Sequence, residues 1–125
     1  MFLFWFFFFI MRINKSINGL FETELSMVGS YTKVRAVFDT GASRSSVPTF
    51  VINTLKLNPT GNFDIIMDAS GHNQFLLTYN MTFIIDGKQI DFEPTIRSIP
   101  FMLIGMDIIS QGKLVIENNV LEFTV

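Results

Sequence analysis

An alternation of apolar and polar residues predicts a strand just before residue 39. Val34, Ala36 and Phe38 are spaced two apart, with more polar or smaller neighbours between them, which is the pattern of a half-buried strand. The run then ends in small and polar residues at Asp39-Thr40-Gly41-Ala42-Ser43. The pattern therefore predicts a strand that carries a carboxylate into a tight loop, where acid–base chemistry can be held in place.

Turn signals divide most of the remaining chain into pairs of short strands. Asp86-Gly87 is a strong signal for a two-residue hairpin turn, and residues 69–73 are small or polar. A short apolar strand is expected at residues 101–104. The predicted hairpins pair residues 20–28 with 31–38, 62–68 with 74–85, 74–85 with 88–97, and 113–117 with 120–125.

Helical signals are few, so the predicted fold class is all-β. One short helix is expected within residues 47–57, with Pro48 at its first position and Ser45 or Ser46 as its cap. A second helical turn is expected at residues 105–110. Short strands with mostly non-local pairing favour a small closed barrel with one or two short helices. Four aromatic residues are expected in its core: Phe75, Tyr79, Phe83 and Phe92.

The chain opens with an apolar run over residues 1–11. This run is shorter than the ~20 residues that a membrane-spanning helix needs, and no basic residue precedes it. It is interpreted either as a membrane anchor or degenerate signal, or as a mis-called start or tail. We expect residues 1–19 to lie outside the fold and residues 20–125 to form the domain. We also expect a cytoplasmic protein, with membrane association or export as the alternative if the run is genuine.

Composition narrows the classes of function. The chain has 125 residues and a net charge of −2 without a basic cluster, so nothing indicates a nucleic-acid partner. It has no cysteine, which excludes disulfides and a thiol nucleophile, and it has one histidine. With so few soft ligands we expect no metal site and no cofactor. Neither a G-x-x-x-x-G-K-[ST] loop nor a G-x-S-x-G elbow is present.

The residues from Asp39 to Ser43 resemble the active-site signature of the aspartic peptidases, in particular the retropepsin-like family. Two further features strengthen the resemblance: the hairpin tip at residues 69–73, and Phe-Met-Leu-Ile-Gly-Met-Asp-Ile-Ile at residues 101–109, which is similar to the second signature of the family. The resemblance covers residues 20–125. It implies the retropepsin-like, or acid protease, fold and an aspartic endopeptidase acting on an extended protein or peptide.

The resemblance also implies a homodimer. Peptide hydrolysis by carboxylates alone takes two of them, one ionised and one protonated, and adjacent carboxylates share a proton. The chain has a single Asp-Thr-Gly, so Asp39 of each subunit would meet the other across a two-fold axis. The alternative is a catalytically weak domain of the same fold that serves as a dimerisation or peptide-binding module.

Residue roles follow from the resemblance, position by position. Asp39 would be the shared acid–base group, Thr40 would reach the partner's loop, and Gly41 would allow the turn. Ala42 would stay small beside the substrate. A flap tip over the substrate would be formed by Ser70, Gly71 and His72. The support beneath the Asp39 loop would be formed by Leu103, Ile104 and Gly105.

Two charged positions have more than one interpretation. Arg44 and Asp107 are either an ion pair that braces the Asp39 loop or two separate surface charges. His72 is either a pH sensor in the flap or an exposed turn residue.

Overall fold

The computed structural model describes residues 3–6, 11–27, 33–67, 69–85 and 88–125, and for residues 3–6, 26–27 and 83–85 it describes the backbone. Short strands dominate this part of the chain, and two short helices interrupt them. The elements are β1 Leu3–Phe6, β2 Met11–Asn14, β3 Glu22–Met27, β4 Lys33–Phe38, β5 Ser46–Pro48, α1 Thr49–Leu55, β6 Pro59–Met67, β7 Asn73–Tyr79, β8 Met81–Ile85, β9 Lys88–Phe92, β10 Thr95–Arg97, β11 Met102–Ile104, α2 Met106–Ile109, β12 Lys113–Glu117 and β13 Val120–Thr124.

The described strands form two sheets. The larger has the order β6-β7-β10-β5-β11-β4-β3-β1-β8-β9, and the smaller has the order β12-β13-β2. The predicted all-β class with two short helices is confirmed. Within the described residues the larger sheet ends at β6 on one side and β9 on the other, so closure into a barrel stays a prediction.

The predicted hairpins are present as antiparallel pairs. They are β3 with β4, β6 with β7, β8 with β9, and β12 with β13. Residues 28–32, 68 and 86–87, including the Asp86-Gly87 turn, lie outside the described residues. Asn118 and Asn119 have φ values of 50° and 63°, the left-handed geometry that a tight hairpin turn requires. The single strands expected at 74–85 and 88–97 are each divided in two.

Strand β11 organises the region around residue 39. It pairs in parallel with β4, where Leu103 lies opposite Val37, and antiparallel with β5, where Leu103 lies opposite Ser46. The strand that enters the Asp39 loop and the strand that leaves it therefore flank the same central strand. Because both ends of the loop are fixed by ladder hydrogen bonds, its conformational freedom is small.

Helix α1 begins one residue later than predicted. Pro48 is the last residue of β5 and takes the N-cap position with extended backbone, and no side chain in the described part of the chain caps the helix. The interpretation of Ser45 or Ser46 as its cap was wrong, since both lie before or within β5. The helix buries Val51, Ile52 and Leu55.

The core is continuous from the strands of the large sheet to β13. Phe38 of β4 and Phe123 of β13 are in ring contact, with centroids 5.9 Å apart. Of the aromatic residues expected inside, Phe92 is buried and Tyr79 packs partly against the core. Phe75 is 65% exposed, so its expected burial was wrong. The side chain of Phe83 lies outside the described part of the structure.

Residues near the N-terminus take part in both sheets. Strand β1 pairs with β3 and β8, and β2 pairs with β13. Met11 and Ile13 are buried in the core. The expected boundary between residues 19 and 20 therefore differs from the structure, in which residues 11–14 pack with the rest of the domain. Neither helix in the described part of the chain has the length and apolar character needed to cross a bilayer.

Candidate active site

The carboxylate of Asp39 is held by the backbone of its own loop. The amide of Gly41 donates a hydrogen bond to Asp39 Oδ1 at 2.9 Å. A Cβ at position 41 would lie 3.2 Å from the same oxygen, a tight contact that glycine avoids. The side chain of Asp39 is half-buried, whereas Thr40 and Gly41 are exposed. The loop therefore presents a positioned carboxylate at the protein surface.

Backbone hydrogen bonds attach this loop to the end of β11. The amide of Asp39 donates to the carbonyl of Ile104 at 2.9 Å, and the amide of Met106 donates to the carbonyl of Ala42 at 2.8 Å. Within the loop, the amide of Ala42 donates to the carbonyl of Asp39 at 3.2 Å. Two residues of the signature, Asp39 and Ala42, are therefore anchored to the segment from Ile104 to Met106.

The loop and the second signature are in close contact at Gly105. A Cβ built on Gly105 would lie 2.8 Å from the Ala42 carbonyl oxygen and 2.9 Å from the Arg44 carbonyl carbon. Both are backbone atoms, so they cannot move aside as a flexible side chain would. Ile104 and Gly105 therefore contact the Asp39 loop directly, and Leu103 precedes them on β11. That these three residues support the loop stays a prediction.

Ser45 and Asp107 form a partly buried clamp that the sequence did not indicate. The Ser45 hydroxyl donates to Asp107 Oδ1 at 2.6 Å and accepts from the Gly105 amide at 2.8 Å. The Ser45 amide lies 3.0 Å from both carboxylate oxygens of Asp107. Ser45 is completely buried. One serine therefore joins the end of the loop to the first turn of α2.

Neither interpretation of Arg44 and Asp107 is correct, because the two residues do not pair with each other and neither is a separate surface charge. Arg44 Nε donates to Asp64 Oδ2 at 2.9 Å, and Arg44 Nη1 donates to the carbonyl of Glu93 at 2.8 Å. Asp107 binds Ser45 instead. An acidic residue is common in the first turn of any helix, so Asp107 gave no signal that would have identified Ser45 as its partner.

The hairpin of β6 and β7 carries the residues expected at the flap tip. Ser70, Gly71 and His72 are exposed, and Ser70 Oγ lies 2.7 Å from His72 Nδ1. Gly71 has a φ of 84°, which glycine adopts without strain. The contacts described between this hairpin and the Asp39 loop run through Arg44 and Asp64, which lie away from the tip.

The two faces of this hairpin differ. Asp64, Ile66 and Leu76 share the partly buried face, together with buried Thr78. The opposite face exposes five large apolar side chains by 54–68%. They are Phe63, Ile65, Met67, Phe75 and Leu77. The rings of Phe63 and Phe75 are in edge contact, with centroids 5.4 Å apart.

A cleft of about 1050 Å³ opens beside the loop, on the side of Ser43 and Arg44. Its other walls include Asp64, Lys56 and Glu93, and Asp39 does not line it. In the described residues no group of three or more histidine, aspartate or glutamate side chains could hold a metal ion.

The order of strands and the loop seated on Gly105 define a retropepsin-like fold, and comparison with solved structures shows the same fold. A retropepsin-like aspartic protease from Rickettsia conorii is similar at a TM-score of 0.64 and 18% identity, over 91% of this chain and 89% of that one. The protease of simian foamy virus (mac) is similar at a TM-score of 0.50 and 16% identity, over 80% of this chain and 92% of that one.

A third structure, EIAV protease with a bound inhibitor, is similar at a TM-score of 0.51 and 28% identity, over 68% of this chain and 84% of that one. No protein-family model and no curated protein matches the sequence.

Proposed function

We propose that the protein is an aspartic endopeptidase that is active as a homodimer. The observation that carries the proposal is the Asp39 loop, whose carboxylate accepts a hydrogen bond from the Gly41 amide while the loop rests on Gly105. This anchored Asp-Thr-Gly-Ala loop occurs within a retropepsin-like fold. Asp39, Thr40 and Gly41 are the proposed catalytic residues.

The proposed chemistry needs two copies of Asp39. One carboxylate is ionised and takes a proton from water, and the resulting hydroxide forms a bond to the carbonyl carbon of the peptide. The other is protonated and gives its proton to the carbonyl oxygen. When the tetrahedral intermediate collapses, the C–N bond breaks and the amide nitrogen takes the proton that the first carboxyl removed from water. A hydroxyl group of the intermediate returns its proton to the second carboxylate, which leaves a carboxylic acid product and restores the pair. A single subunit provides one such carboxylate, and a two-fold axis beside Asp39 provides the second.

In the proposed dimer, an extended peptide lies between the Asp39 loops and the β6–β7 hairpins, which act as flaps that exclude water. Ala42 borders the peptide, and Ser70, Gly71 and His72 cover it from above. Ile66 and Leu76 share the hairpin face from which Asp64 reaches the loop, so they are suited to contact apolar side chains of the substrate.

A second candidate function is a dimerisation or peptide-binding module of the same fold with weak or no catalysis. The exposed apolar face of the hairpin favours it, because contiguous apolar surface of this kind marks interaction sites. A stable dimer that cleaves no peptide between acid and neutral pH would support this candidate over the first.

The test is cleavage of a peptide library by the full chain and its Asp39→Asn variant, with Asp91→Asn as the matched control. Asp91 is exposed and accepts hydrogen bonds from Thr82 and Gln89, which an amide oxygen can also accept. We expect Asp39→Asn to abolish cleavage and Asp91→Asn to retain it. An undiminished rate in Asp39→Asn would refute the assignment.

Mixing wild-type and Asp39→Asn subunits tests whether two subunits share one active site. When an equal amount of Asp39→Asn protein is added to wild type and subunits exchange, about half of the wild-type subunits pair with an inactive partner. Activity per wild-type subunit should then fall by about half. A monomeric enzyme would keep its full activity in the mixture.

A further inference from the structure

Arg44 connects three parts of the molecule through one side chain. It lies in the segment between Asp39 and β5, it donates through Nε to Asp64 on β6, and it donates through Nη1 to the carbonyl of Glu93 before β10. The planar guanidinium suits such a role because its donors point in fixed directions. The Glu93 carbonyl belongs to the body of the domain, outside the hairpin. The hydrogen bond to this carbonyl therefore holds the guanidinium in the orientation in which it binds Asp64.

Among the described residues, few other contacts attach the hairpin on which Asp64 lies to the rest of the sheet. Its ladder contact with the large sheet is between Thr78 and Thr95, next to a bond from the Tyr79 amide to the Pro94 carbonyl. Farther towards the tip, the described ladder of β6 is with β7 alone. A two-stranded hairpin is only marginally stable by itself, so a contact with the body has a large influence on its position.

A point of bending lies at the base of β6. Gly61 has a φ of 87°, and the register of β6 and β7 shifts between Pro59 and Phe63. Irregularities of this kind bend a strand locally. The ion pair of Arg44 with Asp64 lies just beyond this point, on the side towards the hairpin tip.

We propose that Arg44 is a positioning residue that latches the β6–β7 hairpin to the Asp39 loop through Asp64. The inference rests on the proposed function, because it treats this hairpin as the cover of the peptide site. In the latched state the hairpin stays close to the loop that carries the carboxylate. When the latch is lost, the hairpin opens more often and binds an extended peptide less tightly.

The size of the effect follows from the exposure of the pair. The side chains of Arg44 and Asp64 are 34% and 31% exposed, so solvent screens their attraction. We therefore expect the opening equilibrium of the hairpin to increase about fivefold when the pair is removed, in the range measured for partly exposed ion pairs.

The primary experiment needs no catalysis. Hydrogen–deuterium exchange is measured on the hairpin amides of residues 63–67 and 73–77 in the inert Asp39→Asn protein, alone and with Arg44→Gln added. Exchange should be about fivefold faster with Arg44→Gln, and Asp64→Asn should have the same effect. Because one interaction is removed in each case, the two substitutions together should add little to either one.

The matched control is Arg35→Gln. Arg35 forms an ion pair with Glu22 between β4 and β3, on strands that do not belong to the hairpin. It should leave hairpin exchange unchanged. Unchanged exchange in Arg44→Gln, or an equal increase in Arg35→Gln, would overturn the latch.

Steady-state kinetics test whether the latch affects binding of the substrate. In the active protein, Arg44→Gln should raise KM about fivefold and change kcat less, and Arg44→Lys should recover part of the loss because the charge is retained. A fall in kcat at constant KM would overturn the positioning role. If the wild-type protein cleaves nothing, the proposed function fails, whereas the exchange experiment still decides whether the latch exists.

Discussion

Replacing Ser45 by alanine tests whether the Asp39 loop is held by the clamp to Asp107. The substitution removes only a hydroxyl group from a completely buried side chain. That hydroxyl donates to Asp107 Oδ1 and accepts from the Gly105 amide. No large cavity results, so the loss of stability measures the contribution of these two hydrogen bonds to the free energy of unfolding.

The magnitude is worked from those bonds. A hydrogen bond to a charged group contributes about 1.5–3 kcal/mol, and a buried amide left without a partner costs about 1–3 kcal/mol. The Ser45 amide still donates to Asp107, which retains part of the clamp. We therefore expect the free energy of unfolding to fall by about 3 kcal/mol, a large fraction of the ~5–15 kcal/mol typical of a domain.

Ser46→Ala is the matched control from the adjacent position. Ser46 is equally buried, but its hydroxyl has no hydrogen-bond partner among the described residues. Removing an unsatisfied buried hydroxyl relieves a desolvation cost. The free energy of unfolding of this variant should therefore lie within about 1 kcal/mol of that of the parent protein, or above it.

The assay is urea unfolding in the Asp39→Asn background, which prevents self-cleavage if the protein is a peptidase. Subunit concentration is held constant, because association would add to apparent stability. The midpoint should shift for Ser45→Ala at an unchanged slope. If Ser45→Ala and Ser46→Ala unfold within about 0.5 kcal/mol of one another, the reasoning about the clamp is refuted.

Two further predictions concern the hairpins. Ile66→Ala should lower kcat/KM for peptides about tenfold, because an apolar contact with the substrate is lost. Ile65→Ala, on the opposite face of the hairpin, should leave kcat/KM unchanged. Equal effects of the two substitutions would refute the assignment of the faces. Asn118→Ala should lower the free energy of unfolding by about 1 kcal/mol, because its φ of 50° is costly for alanine, and Asn118→Gly should not. Urea unfolding checks the second prediction, and an alanine variant as stable as the glycine variant would contradict it.

The parts of the site that depend on neighbouring residues could be predicted from the sequence. Strand β4 was indicated by a period of two, and the loop at Asp39 by small residues that follow it. The turn at Asn118 and Asn119 was indicated by residues that tolerate positive φ. In each case the physical requirement is satisfied within a few residues, so it leaves a mark on the local sequence.

The partner of Arg44 could not be predicted because it depends on the path of the hairpin. Asp64 and Asp107 are both carboxylates, and they lie 20 and 63 residues along the chain from Arg44. Nothing local distinguishes them. The choice is made by which strand passes over the loop, and that is decided by the whole sheet.

The predicted burial of Phe75 was wrong for a related reason. A period of two identifies the two faces of a strand, but it does not tell which face another element covers. On β6 and β7 both faces carry apolar residues, and the face with Phe75 is left exposed. The same limit applies to Met11 and Ile13, whose burial depends on the pairing of β2 with β13, more than 100 residues away in the sequence.

The loop combines a fixed backbone with an exposed front. Ile104, Gly105 and Ser45 restrain it from the interior, while Thr40 and Gly41 remain exposed. The entropy cost of ordering the carboxylate is therefore met when one chain folds. Association of two chains would then bring together two Asp39 loops that are already ordered. In the proposed dimer, loop rigidity and subunit association are then separable. Substitutions behind the loop such as Ser45→Ala act on rigidity, whereas substitutions of exposed Thr40 act on association.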